Sequence, residues 1–157
     1  MLAYIGLGSN LEDPKSQIKR ALTALNNNKV TELIASSSFY ESKPLLDMPG
    51  PNYINAVCKI QTELTALDLL NLCQEIEESQ HRVRDVKWGS RTIDLDILLY
   101  AQQVILSKRL TIPHTEIMNR AFVLAPLFEI EPTIKLPLLG SIQSLLDRIN
   151  KLDVKKL

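Results

Sequence analysis

Arg91-Thr92-Ile93-Asp94-Leu95-Asp96-Ile97-Leu98-Leu99 is the most informative segment of the chain. Its apolar and polar residues alternate, which is typical of a β-strand with one face in the core. The residues predicted to face the core are Ile93, Leu95 and Ile97. Asp94 and Asp96 then share the opposite face with Thr92, with about 6.5 Å between the two aspartate Cα atoms.

Two neighbouring carboxylates on one strand face predict a cation site. Asp94 and Asp96 repel each other, and each raises the proton affinity of the other unless a cation lies beside them. Magnesium prefers oxygen ligands and commonly takes one or two carboxylates together with substrate phosphates. The alternative is that both side chains only face water. Aspartate is depleted in strands, so a pair on an otherwise apolar strand favours function.

A basic segment precedes this strand, and we interpret it as a loop. Its cations are Arg82, Arg84, Lys87 and Arg91. Arginine forks suit phosphate oxygens, and cations along a phosphate chain neutralise the charge that moves to a leaving group. The alternative is a solvated basic loop paired with the glutamates of residues 75–78.

The remaining pattern alternates strands and helices. Strands are predicted near residues 2–7, 30–41, 52–63 and 104–106. Helices are predicted from Asp13-Pro14 onward, from Thr65 onward, over 114–130 in two pieces, and over 141–149. This β-α-β-β-α-β order predicts an α+β fold with a ferredoxin-like core, in which helices pack on one face of an antiparallel sheet. We expect one domain spanning residues 1–157.

Alternation in residues 52–63 assigns a second strand to the same layer. Its core face is predicted to hold Ile54, Ala56, Cys58 and Ile60, and its other face Tyr53, Asn55, Val57 and Lys59. Gly6-Leu7-Gly8-Ser9-Asn10 lacks the third glycine of a dinucleotide fingerprint, and the chain contains no phosphate-binding GxxxxGK[ST] sequence. We therefore interpret residues 6–10 as a structural turn.

Composition limits the function classes. The 157 residues carry 18 basic and 18 acidic side chains, which gives no support for broad nucleic-acid or membrane binding. The sequence has no signal-peptide pattern and no apolar run of membrane-spanning length. The two cysteines, Cys58 and Cys73, lie in apolar segments and are predicted to be buried free thiols. We expect a cytoplasmic monomer that acts on small molecules.

Other classes of function use similar features. A ferredoxin-like RNA-binding module needs sheet aromatics and a basic surface, whereas aromatics are 5% of this chain. A metal-dependent nucleotidyltransferase or nuclease could use the same two aspartates, and its products would distinguish it. A purely structural protein gives no reason for paired carboxylates beside arginines.

Over nearly its whole length the sequence resembles the 6-hydroxymethyl-7,8-dihydropterin pyrophosphokinase family. The resemblance is strongest at Arg82-Val83-Arg84 and in the segment from Lys87 through Leu98, where RTIDLDIL is specific to the family. It also includes residues 4–11, 37–42, 53–56, 112–114, 119–122 and 126–129. Family members transfer the β,γ-pyrophosphoryl group of ATP to the pterin hydroxymethyl oxygen and release AMP, in folate biosynthesis.

The resemblance also implies residue roles. Asp94 and Asp96 would hold two magnesium ions and would be catalytic together with Arg82 and Arg91. The residues implied for ATP are Gln74, Glu77, Arg82, Arg84, Trp88, Arg91, Ile97, Arg109, Thr111, His114 and Arg120. The residues implied for the pterin are Ser42, Pro44, Leu45, Tyr53, Asn55, Trp88 and Phe122. Tyr53 and Phe122 would stack on the two faces of the ring. The sequence departs from the common family pattern at Lys43, His81 and Ser90.

Overall fold

A computed structural model describes residues 1–44, 49–80, 92–149 and 153–157. Its strands are β1 (Leu2–Ser9), β2 (Thr31–Ser36), β3 (Tyr40–Ser42), β4 (Tyr53–Thr62), β5 (Asp94–Tyr100), β6 (Ile105–Leu106), β7 (Thr111–Ile112), β8 (Lys135–Leu136), β9 (Gly140–Ser141) and β10 (Val154–Lys156). Its helices are α1 (Pro14–Asn26), α2 (Ala66–Gln80), α3 (Ala121–Ile130) and α4 (Ile142–Asp147), with a 3-10 turn at Ile117–Asn119.

The main sheet is antiparallel throughout its described pairings. Its strands run in the order β10-β3-β4-β1-β5, and β2 also pairs with β4. The order β5-β1-β4-β2 of the four principal strands, with α1 and α2 as the connecting helices, is the split β-α-β arrangement. The predicted α+β fold with a ferredoxin-like core is therefore confirmed.

Helices cover both faces of this sheet, which differs from the expected single covered face. On the face covered by α1 and α2, buried side chains of those helices pack against β1, β4 and β5. On the opposite face, α3 and α4 pack against Tyr4, Val57 and Leu98. The segment of α3, Ala121–Ile130, is apolar nearly all round. Such a helix requires burial, so it packs on the second face of the sheet.

The alternation predictions for β4 and β5 are confirmed. Ile93, Leu95 and Ile97 are buried in the α1 and α2 cluster. The residues of β4 that join them are Ile54, Ala56, Cys58 and Ile60. The polar residues of the two strands consequently lie on the α3 side of the sheet.

The predicted turn at residues 6–10 is wrong. β1 continues through Ser9, and Gly6 and Gly8 each pair with both β4 and β5. Neither glycine has a positive φ. Their small size, rather than a turn conformation, therefore distinguishes these two positions in the centre of the sheet.

The helix starts agree with the sequence in position. Thr65 Oγ1 accepts a hydrogen bond from the Asp68 main-chain N–H at 3.1 Å, as expected of an N-cap. Asp13 precedes Pro14 at the start of α1, but its carboxylate accepts from Ser16 Oγ at 2.9 Å and caps no main-chain group.

Cys58 and Cys73 are buried free thiols, as predicted. Burial raises the pKa of Cys58 to about 12, which makes this thiol unreactive at neutral pH. Within residues 1–44, 49–80, 92–149 and 153–157, every helix is too short or too polar to cross a bilayer.

Candidate active site

Asp94 and Asp96 lie on β5, the strand at one edge of the main sheet, and both are half-buried. Asp94 pairs with Gly8 of β1, and Asp96 pairs with Gly6. Because opposite residues of an antiparallel ladder share a face, the two carboxylates lie beside a part of β1 that presents no side chains on this face. The Asp96 side chain remains 47% exposed.

Asn55 lies on the other side of Gly8, in β4. Its side chain is buried, and its Nδ2 donates to Ser42 Oγ at 2.8 Å and to the Tyr40 carbonyl at 3.4 Å. Asn55, Gly8 and Asp94 therefore form a row across three neighbouring strands on one face of the sheet. Tyr53 precedes Asn55 on that face and is half-buried.

His114 approaches the aspartates from the loop after β7. Its Nε2 lies 3.9 Å from Asp96 Oδ2, and its main-chain N–H donates to the Leu98 carbonyl at 3.0 Å. Its Nδ1 accepts from the Glu116 main-chain N–H at 3.2 Å. An imidazole nitrogen that accepts a hydrogen bond carries no proton, so the neutral ring holds its proton on Nε2, facing Asp96.

Several residues assigned to ATP meet where α2 passes beside β5. Glu77 Oε2 accepts from the Leu95 main-chain N–H at 2.8 Å. Arg109 Nη2 donates to Asn71 Oδ1 at 2.7 Å and to Gln74 Oε1 at 3.2 Å. These contacts hold polar side chains of α2 and the cation of Arg109 along the outer edge of β5.

Four further residues that the family resemblance implies for ATP or the pterin lie on β5, after β3, on β7 and at the start of α3. Ile97 is buried on the α1 and α2 side, so only its main chain is accessible to a ligand. Thr111 is in the short β7, and Pro44 follows β3. Arg120 lies over the Phe122 ring, with 5.6 Å between Cζ and the ring centroid, at the start of α3.

Five assigned residues fall outside the described part of the chain. They are Leu45, Arg82, Arg84, Trp88 and Arg91. The same holds for His81, Lys87 and Ser90. The predicted basic loop and its distance from Asp94 therefore remain predictions.

Two residues without an assigned role organise the end of β1. Ser9 Oγ donates to the Thr92 carbonyl, and Asn10 Nδ2 donates to the Pro51 carbonyl at 3.2 Å. Both side chains are buried. These bonds connect β1 to the chain just before the aspartates and just before Tyr53. The available sequence signal was a polar Ser-Asn pair at the end of an apolar strand.

The donor set suits magnesium held together with a substrate. Within the described residues, no group of three or more His, Cys, Asp or Glu side chains could by itself hold a metal ion. Asp94 and Asp96 supply two carboxylates on one half-exposed face. Magnesium is commonly held by one or two carboxylates, with phosphate oxygens and water completing its octahedron.

Comparisons with known proteins identify the family to which the chain is similar. Residues 4–132 match the family described as 7,8-dihydro-6-hydroxymethylpterin-pyrophosphokinase. The chain is 53% identical over 135 residues to a Haemophilus influenzae 2-amino-4-hydroxy-6-hydroxymethyldihydropteridine pyrophosphokinase, covering 86% of this chain and 84% of that protein. It is 46% identical over 134 residues to the Pseudomonas aeruginosa protein of the same name, covering 85% and 83%.

A solved structure shows the same fold at lower identity. The chain matches the crystal structure of wild-type Plasmodium falciparum HPPK-DHPS with pteroate, with a TM-score of 0.74 and 16% identity. The match covers 94% of this chain and 42% of that chain. The present chain thus spans less than half of that protein.

Proposed function

The chain belongs to the 7,8-dihydro-6-hydroxymethylpterin-pyrophosphokinase family, and we infer that it transfers pyrophosphate from ATP to hydroxymethyldihydropterin. It is an ATP-dependent diphosphokinase of folate biosynthesis. The observation that carries this function is the row Asn55-Gly8-Asp94, which connects a buried amide to the carboxylate pair across one strand.

Asp94 and Asp96 hold two magnesium ions in this proposal. Magnesium held by these carboxylates would supply positive charge that offsets the negative charge of the triphosphate. The aspartates contribute the anchoring oxygens, and their half-exposed positions on the sheet face leave access for a triphosphate. His114 Nε2–H, held toward Asp96, donates to an oxygen of the triphosphate.

ATP spans the outer edge of β5. Gln74, Glu77 and Arg109 lie on the α2 side of that edge, and the aspartates lie on the other side of the sheet. The nucleoside binds near α2, and the phosphates reach Asp94 and Asp96 past the edge. The Leu95 N–H points outward to Glu77, and in a strand the next main-chain group with this direction belongs to Ile97. Ile97 therefore contributes main-chain groups to the nucleotide site.

The pterin binds on the opposite side of Gly8. The Asn55 side chain recognises the edge of the ring, and Tyr53 and Phe122 stack on its faces. Ser42 contributes by holding the Asn55 amide, and main-chain groups near Pro44 complete the ring edge. Leu45 and Trp88, outside the described residues, belong to this group by family resemblance.

The transfer forms one bond and breaks one. The hydroxymethyl oxygen attacks the β-phosphorus, the bond from that phosphorus to the bridging α,β-oxygen breaks, and AMP leaves with that oxygen. The hydroxyl proton passes to solvent. The side chains contribute alignment of oxygen and phosphorus, which can supply a large part of the rate. Arg82, Arg84, Trp88, Arg91 and Arg120 act in this proposal as the remaining ATP contacts.

We also propose a cellular setting for the enzyme. The enzyme works as a single-domain cytoplasmic monomer on small molecules, with neither nucleic acid nor membrane as a partner. The net charge of zero and the two free thiols support that setting.

Product analysis tests the function. The protein is mixed with ATP, magnesium and 6-hydroxymethyl-7,8-dihydropterin, and the products are separated. AMP and pterin diphosphate are expected in equal amounts and only with magnesium present. ADP with a pterin monophosphate, or AMP attached to the pterin, would each contradict the inferred reaction.

A further inference from the structure

We propose that Gly8 is a positioning residue for the pterin, because the absence of a side chain there keeps the Asn55 amide in its binding orientation. This inference rests on the proposed function, in which Asn55 binds the pterin and Asp94 anchors the metal.

The register puts Gly8 between the two halves of the site. Gly8 is the Cα partner of Asn55 in β4 and of Asp94 in β5. Neighbouring strands lie about 4.8 Å apart, so the Cα atoms of Asn55 and Asp94 are about 10 Å apart with only Gly8 between them. A pterin held at Asn55 reaches the aspartates by passing over Gly8.

A side chain at this position would meet Asn55 first. A Cβ built on Gly8 lies 3.3 Å from Asn55 Oδ1 and 3.9 Å from Tyr53 Cδ2. The first distance is closer than an ordinary van der Waals contact. The φ of Gly8 is not positive, so alanine fits the main-chain conformation. The expected effect of Gly8→Ala therefore comes from the contacts of the added methyl group.

Asn55 has little freedom to move away from such a Cβ. Asn55 is 4% exposed, and its Nδ2 donates to Ser42 Oγ and the Tyr40 carbonyl. Rotation of the amide away from Gly8 would weaken those bonds. The added methyl group is therefore expected to displace the group that recognises the pterin.

Gly6 offers a matched control on the same strand and the same face. A Cβ built there lies 3.4 Å from Leu98 Cδ2, the end of a rotatable apolar side chain. Gly6→Ala therefore makes the same chemical change in the neighbouring row without contacting Asn55.

The experiment compares wild type, Gly8→Ala, Gly6→Ala, Asn55→Ala and the double variant Gly8→Ala/Asn55→Ala. Gly8→Ala is expected to raise the KM for the pterin about tenfold, the effect of one weakened hydrogen bond, with the KM for ATP changed less than about twofold. Gly6→Ala is expected to change the pterin KM by less than about threefold. In the Asn55→Ala background, Gly8→Ala is expected to add less than about twofold.

The outcomes separate this inference from the function itself. Absence of AMP and pterin diphosphate from wild type would contradict the function. An active wild type with an unchanged pterin KM in Gly8→Ala, or with additive effects in the double variant, would overturn the role of Gly8. Should Gly8→Ala fail to fold, a double variant that melts like Asn55→Ala supports the contact with Asn55. A double variant that also fails to fold contradicts it.

Discussion

The imidazole of His114 faces the carboxylate of Asp96, with 3.9 Å between Nε2 and Oδ2. This distance is too long for a hydrogen bond, so the Nε2–H remains able to donate to an oxygen that enters the space beside Asp96. Asp96 lies within β5 and His114 in the loop after β7, and the hydrogen bond from the His114 N–H to the Leu98 carbonyl brings the two together.

Replacing either carboxylate should strongly reduce turnover and leave the fold intact. Asp96→Asn and Asp94→Asn are each expected to lower kcat at least about 100-fold, because each removes a charged metal anchor. The melting temperature of Asp96→Asn should equal or exceed that of wild type, since the change relieves repulsion between neighbouring carboxylates. Asp147→Asn, on the exposed part of α4, is the control. A correctly melting Asp96→Asn with wild-type turnover would contradict the assignment.

Substitutions at His114 should raise the KM for ATP. The size of the increase should depend on where the new side chain places a hydrogen-bond donor. His114→Ala is expected to raise the KM for ATP about tenfold or more, as loss of a hydrogen bond to a charged group implies. His114→Gln can place an amide N–H near the former Nε2 and should retain more affinity than His114→Asn. Steady-state kinetics with saturating pterin measures the series. Equal KM values for ATP in His114→Ala and wild type would rule out the contact between His114 and the triphosphate.

Glu129 should make the fold sensitive to acid. Burial alone would raise the pKa of Glu129, but hydrogen bonds from Tyr40 and Ser38 outweigh it and the pKa is lowered from 4.5. Tyr40 OH donates to Oε1 at 2.7 Å. A carboxylate with a lowered folded-state pKa stabilises the fold above its unfolded-state pKa, and this contribution disappears as pH falls through the folded-state value.

The melting temperature of wild type should accordingly fall more steeply below about pH 4.5 than that of Glu129→Gln. Glu63→Gln, an exposed residue after β4, serves as the control and should follow wild type. Parallel curves for wild type and Glu129→Gln would show that these hydrogen bonds add no acid-sensitive stability.

Leu138 should be replaceable by glycine with a gain in stability. Its φ is 67° and the residue is 84% exposed, so it occupies a left-handed conformation and makes few packing contacts. That conformation costs a non-glycine residue about 1–2 kcal/mol, and glycine loses about 0.5–1 kcal/mol in chain entropy. Leu138→Gly should therefore raise the melting temperature by about 2–4 °C.

Leu106 provides the comparison, because it is 82% exposed but lies in β6 without a positive φ. Leu106→Gly should lower the melting temperature. An equal decrease in melting temperature in both variants would show that the left-handed conformation of Leu138 is not strained.

The alternation of apolar and polar residues was sufficient to predict which face of each central strand is buried. The alternation around Asp94 and Asp96 correctly separated buried from half-exposed positions, because side chains of a strand alternate strictly between faces. The turn expected at Gly6 and Gly8 was wrong because glycine is common both in turns and where neighbouring groups approach closely. Only the register with β4 and β5 distinguishes the two.

Long-range contacts of the site were not predictable from spacing. Arg109 reaches Asn71 and Gln74 of α2, and Ser9 reaches the Thr92 carbonyl. Such pairs depend on how loops return to the sheet, which no periodic pattern in one sequence encodes. Similarly, the tautomer of His114 follows from the Glu116 N–H, a main-chain group that carries no sequence signal.

The most direct test of the central claim follows the phosphorus atoms of ATP. Separate reactions with magnesium and 6-hydroxymethyl-7,8-dihydropterin contain ATP labelled at the α-, β- or γ-phosphorus. Pyrophosphoryl transfer predicts that both the β and γ labels appear in the pterin product, and that the α label appears only in AMP. A γ label alone in the pterin would indicate a single phosphoryl transfer, and an α label there would indicate nucleotidyl transfer. Either result would contradict the account.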